Sequence, residues 1–177
     1  MSYLVRSMLV LMLFAYPLFC ADDVVSGVAG TVKTVDKATK TVVVKTADGA
    51  EHTFHVVDRT VVHGVKATGR GTKDAFLSMK EGDEVVVHYT EKGAVDTAHE
   101  FDHVGADGLK MAKVTVNKLD HGAKVVSVKT EEGADETYHL TGNAVRETGK
   151  GIEKGTKVTV YYTEEGGKKI VHFFKEG

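Results

Sequence analysis

Imidazole is the side chain with the widest chemical range in this sequence. Nine histidines occur: His52, His55, His63, His88, His99, His103, His121, His139 and His172. A neutral imidazole is a common ligand for zinc, copper and nickel, so a metal site is the first chemistry to test. Spacing decides which histidines can share an ion. His99 and His103 stand four apart, and along a strand at about 3.3 Å per residue they would lie roughly 13 Å apart. His88 and His99 are better placed. If Lys92-Gly93 forms a two-residue hairpin turn, they become diagonal neighbours on one face, at a Cα separation of about 7–8 Å. Two imidazoles alone give a weak site, so His103 or Glu84 would have to add a third ligand. The expected metal candidates are therefore His88, His99 and His103, and the expected ion is a divalent metal or copper. Against them stands the plainer expectation of solvated histidines on strand faces, as for His55 and His139.

Catalytic patterns find little support. There is no G-x-S-x-G elbow, H-E-x-x-H helix or P-loop. The run Gly69-Arg70-Gly71-Thr72-Lys73 has glycines and cations but not the full phosphate-loop spacing, and it reads as a surface loop. The one cysteine, Cys20, allows neither an intrachain disulfide nor a cysteine-rich metal site. The chain is read as a non-enzyme without a resident cofactor. Near the C-terminus, Ile170, Val171, Phe173 and Phe174 place large apolar groups on both faces of one strand. Tyr161, Ile170 and Phe174 therefore suggest a covered surface, with the cover either the rest of the chain or a protein partner.

The elements that position these residues come twice. Residues 31–56 (TVKTVDKATKTVVVKTADGAEHTFHV) and 115–140 (TVNKLDHGAKVVSVKTEEGADETYHL) agree at twelve of twenty-six positions without a gap. Residues 82–93 (GDEVVVHYTEKG) and 155–166 (GTKVTVYYTEEG) agree at seven of twelve. The order is the same in both halves, which marks a duplicated unit. Inside the unit the apolar period is two, the signature of strands. Val42, Val44 and Thr46 fall on one face of their strand, as Val126, Val128 and Thr130 do on theirs, and Asp48-Gly49 and Glu132-Gly133 supply turns. Each half offers about five strands. They run near 26–35, 40–47, 51–57, 83–90 and 95–103, then 110–119, 124–130, 135–141, 156–163 and 168–175.

Five short antiparallel strands left as an open sheet would expose much edge, so closure into a small OB-type barrel is expected. Between its third and fourth strands the first half carries 11 extra residues, in which residues 74–80 suit a short helix. The expected fold is all-β, two tandem five-stranded OB-like barrels with that helix in the first. The order G-x-V-x-x-V-D, V-x-V, D-G, F-x-V and G-D-x-V-x-V-x-Y resembles an exported bacterial domain family of unknown function. The resemblance implies small, often repeated OB-like barrels and no activity. A more distant resemblance is to the periplasmic copper-binding barrels of cation-efflux systems. Their ligands are not matched: Lys45 stands near their histidine position, and the chain has no Trp.

Composition sets the remaining limits. The chain has 177 residues, with 23 Lys+Arg against 25 Asp+Glu, and this near-balance argues against a nucleic-acid partner. Arg6 followed by the apolar run 8–19 reads as a secretory signal, too short to span a membrane and broken by Pro17. The expected organisation is a signal peptide over 1–21, a first barrel over 22–104 and a second over 109–177, joined at Gly105-Ala106-Asp107-Gly108. Lipidation at Cys20 is the alternative, although Phe19 stands where a small residue is preferred. The expected function is a non-catalytic binding or structural module, periplasmic or extracellular, with a protein or cell-envelope partner. The alternative is a periplasmic metal-binding protein that uses histidines of the first barrel.

Overall fold

The computed structural model describes residues 25–64, 76, 78–92, 95–148 and 151–177. The segment read as a signal, the Gly69–Lys73 run and residues 74, 75 and 77 of the expected first-barrel helix lie outside the described residues. The first sheet comprises β1 (Val25–Asp36), β2 (Thr41–Lys45), β3 (Glu51–His63), β4 (Glu84–Lys92) and β5 (Val95–His103). These strands close in the order β1-β2-β3-β5-β4, with β1 pairing both β2 and β4 and β3 running parallel to β5. The second sheet comprises β6 (Lys110–Asp120), β7 (Val125–Thr130), β8 (Asp135–Leu140), β9 (Lys157–Glu165) and β10 (Lys168–Glu176). It closes in the equivalent order, with β8 parallel to β10. This is the strand order of an OB-type barrel, and closure leaves neither sheet with a long open edge.

Each barrel is filled by the alternation seen in the sequence. Val42, Val44, Phe54, Val56, Val87 and Phe101 form the first core, and Val126, Val128, Tyr138, Leu140, Val160 and Phe174 the second. Phe76 and Met79 also enter the first core, as the expected helix would require. Phe76 and Ser78 are helical, within the stretch expected to form that helix. The second barrel has a helix as well: α1 (Gly142–Thr148) follows β8 and buries Ala144. The Thr141 hydroxyl accepts from the Ala144 N–H at 3.2 Å, which caps the start of this helix. The shorter second half thus still contains a helical turn at the place where the first half carries its extra residues.

Bulges break the alternation at matched places. The β4–β5 register slips between His88↔Glu100 and Tyr89↔Ala98, which leaves His99 as the extra residue. The β9–β10 register slips between Tyr161↔Phe173 and Tyr162↔Val171, leaving His172. An extra residue reverses the facing of everything after it. Val171 and Phe174 therefore both reach the second core, while Phe173 points out of it.

The two barrels meet through those outward positions. Tyr161 and Phe173 of the second pack with Ala29 and Val86 of the first and with Leu109 of the connection. The connection is a closed turn. The Leu109 N–H donates to the His103 carbonyl at 2.8 Å, and the Gly105 N–H donates to the Leu109 carbonyl at 2.9 Å. Gly108 lies so close to the His103 carbonyl that a Cβ there would overlap it, and Gly64, at φ 77°, backs onto Gly108. Only glycine fits such a crossing.

Candidate functional site

The outer face of β3, β4 and β5 next to this contact carries an unusual density of ionisable side chains. Its construction starts at β3, which runs on to His63, beyond the strand read from the sequence. The β3–β5 register slips between Val56 and Val61. Thr60 holds the slip: its buried hydroxyl accepts from the Val57 N–H at 2.9 Å and donates to the Ala98 carbonyl at 2.7 Å. Beyond it, His63 comes opposite Asp102 in the parallel register. Glu100, two residues earlier on β5, shares the face of Asp102, because side chains on a strand repeat every second residue. His63 Nε2 lies 3.0 Å from Glu100 Oε1, and His88 Nε2 lies 3.8 Å from Asp102 Oδ2.

One ligand atom from each of His63, Glu100 and Asp102 falls within 4.8 Å of the others, the one such His/Cys/Asp/Glu group among the described residues. The three residues line a cleft of about 210 Å³ with His103, Asp107 and the connecting turn, and Thr163, Glu165 and His172 of the second barrel complete it.

Burial sets the electrostatics. It pushes the Asp102 carboxyl up to about 8, with Glu100 adding to the rise. It brings the His88 imidazole down to about 4, with His172 adding to the fall. The 3.8 Å contact between them is too long for a hydrogen bond, and burial moves both members toward their uncharged forms. Burial also lowers His103, against an opposing pull from Asp83, and lowers His172, against Glu165. Three buried side-chain atoms on the described residues have no hydrogen-bond partner: His88 Nδ1, Asp102 Oδ2 and His103 Nε2.

The residues expected from the sequence occupy this region without converging on one point. His88 is 1% exposed, faces Glu100 across the ladder and sets its ring edge-on to Phe173, with centroids 6.4 Å apart. His99 is the bulged residue, and its Nε2 shares a 3.0 Å hydrogen bond with the Thr90 hydroxyl. His172 repeats that arrangement with Thr163, also at 3.0 Å. His103 is buried, with Nδ1 3.7 Å from Asp83. Glu84 is exposed at the start of β4. Of the expected surface residues, Tyr161 is covered by the first barrel, Phe174 is in the second core and Ile170 is half-buried.

Sequence reasoning missed His63, Glu100 and Asp102. The acidic pair two apart on one strand was visible, but the extension of β3 that brings His63 beside it was not. Matched positions in the second barrel carry a different chemistry. The bulges align His88 with Tyr161, Glu100 with Phe173 and Asp102 with Lys175.

No family model and no curated protein matches the chain. The pattern shared with an exported domain family therefore stands on the sequence alone. Among solved structures, one of silver-bound CusF is similar at 16% identity and TM-score 0.34, over 45% of this chain and 96% of that one. Another, of residues 10–88 of silver-bound CusF from Escherichia coli, is similar at 16% identity and TM-score 0.33, over 45% and 90%. The Drosophila Unr CSD456 structure is similar at 14% identity and TM-score 0.35, over 88% of this chain and 62% of that one.

Proposed function

We propose that the chain is an exported, non-catalytic binding module whose two barrels act as one unit and take their ligand at the seam between them. The observation that supports this reading best is where the unsatisfied polarity lies. His88 Nδ1, Asp102 Oδ2 and His103 Nε2 all sit on β4 and β5, at the end of the first barrel that meets the second. A buried polar atom left unpaired costs about 1–3 kcal/mol, so a cluster of them is a place where a ligand gains by supplying partners. Export is supported by Arg6 and the apolar run 8–19, and duplication of one ancestral unit by the matched sequence blocks.

Two measurements test the reading. N-terminal sequencing of the chain recovered from cell fractions should find it outside the cytoplasm and starting near residue 21. Imidazole resonances should then be followed against divalent chlorides, phosphate and short acidic or basic peptides. One ligand class should shift His63, His88, His103 and His172 and leave His52, His55 and His139 in place. Retention of Met1 in a cytoplasmic chain would refute export. Shifts confined to the other histidines would refute the seam.

A further inference from the structure

We infer that the ligand of the seam is a divalent cation of the zinc class, held by His63 Nε2, Glu100 Oε1 and a carboxylate oxygen of Asp102. The inference rests on the seam being the binding surface and names what binds there. The three ligand atoms already lie within 4.8 Å of one another, and His63 Nε2 and Glu100 Oε1 are 3.0 Å apart. Tetrahedral zinc with ligands at about 2.0–2.1 Å spaces them roughly 3.3 Å apart. The group therefore needs only a small contraction. His63 and Glu100 can supply it, since their side chains are 56% and 26% exposed, while Asp102 is fixed in the barrel wall.

A plain surface ion pair would look different. His63 and Glu100 alone would be such a pair, worth little. Asp102 is 2% exposed, lines the same cleft and keeps Oδ2 without a partner. A buried carboxylate oxygen beside an imidazole and a second carboxylate is the arrangement a cation satisfies.

One nitrogen and two oxygens suit zinc, cobalt(II) or manganese. Soft monovalent copper or silver would want thiolate or thioether donors. The cleft holds about 210 Å³, room for the ion with a water on it. Its far wall carries Glu165 and His172, so the second barrel offers further donors to the same space. The second barrel itself has no counterpart of this site. Lys175 stands where Asp102 does and Phe173 where Glu100 does, and a lysine there repels a cation. The stoichiometry is therefore one ion per chain.

The test is titration calorimetry with zinc chloride, and the visible absorption of cobalt(II), on the protein as recovered from cells and stripped with chelator. Wild type should bind one ion. His63→Ala and Glu100→Gln should each weaken binding tenfold or more, and both change accessible side chains, so the fold is kept. His139→Ala, far from the seam in sequence and on β8, should leave affinity unchanged. Absence of saturable binding, or equal affinity in His63→Ala and wild type, would overturn the inference. If zinc fails but phosphate or a peptide shifts the seam histidines, the cation is wrong and the seam reading survives. If no ligand class shifts them, both fall.

Discussion

Asp102 and His88 show what burial does to a charge when no partner is at hand. Each is pushed toward its neutral form, Asp102 up to about 8 from an ordinary 3.8 and His88 down to about 4 from 6.5. The raised carboxyl means that the folded chain holds a proton the unfolded chain has lost. Its contribution is full below about pH 4 and declines as pH rises toward 8. The lowered imidazole acts in the opposite sense, full above 6.5 and lost as pH falls toward 4. The two oppose each other between about 4 and 6.5, and from 6.5 to 8 only the carboxyl remains. His63, Glu100, His103, Glu165 and His172 line the adjoining cleft and share its field. In chelator, the melting temperature should therefore fall by a few degrees between pH 6.5 and 8. Asp102→Asn should flatten that fall. An equal slope in both proteins would mean that Asp102 is not the titrating group.

Among the elements, strand identity was readable because the apolar period of two and the Asp-Gly and Glu-Gly turns are local. The bulges at His99 and His172 were not, since one extra residue leaves no mark in composition and is set by pairing across the ladder. That single residue explains why both Val171 and Phe174 are in the core and why His88 faces Glu100. The end of β3 was missed for a similar reason. Its slip at Val56–Val61 depends on a hydrogen bond from Thr60 to a residue 38 positions away. Thr60→Val should leave the Val57 N–H and the Ala98 carbonyl each short of a partner. The expected cost is about 1–3 kcal/mol by urea denaturation, with zinc affinity lowered as His63 loses its register. Unchanged stability would show that the slip holds without the hydroxyl. Within β7 the facing is plain: Val128 is fully buried and Lys129 exposed. Val128→Asp should unfold the second barrel, at a cost of several kcal/mol, and Lys129→Asp should change little. Circular dichroism melts of the two variants separate these outcomes.

For the whole molecule, the same outward positions serve two purposes on the two barrels. In the second they are apolar, Tyr161 and Phe173, and dock onto Ala29, Val86 and Leu109. In the first they are His88 and Glu100, and Glu100 with Asp102 beside it lines the cleft at the margin of that contact. Histidine spacing in the sequence directs attention to the first barrel alone, whereas the cleft beside the ionisable cluster is lined by residues of both barrels. Phe173 is buried in the contact, its ring against those of Tyr161 and His88, so Phe173→Ala should cost about 3 kcal/mol and split one calorimetric transition into two. A single unshifted transition would show that the barrels are coupled by something else.

The central claim is that a cation sits at this seam, and anomalous diffraction at the zinc edge from a zinc-soaked crystal addresses it most directly. The account predicts one strong peak bounded by His63 Nε2, Glu100 Oε1 and the Asp102 carboxylate, with nothing at the matching Tyr161–Phe173–Lys175 position. A zinc peak elsewhere on the chain, or no peak between those three side chains, would contradict it.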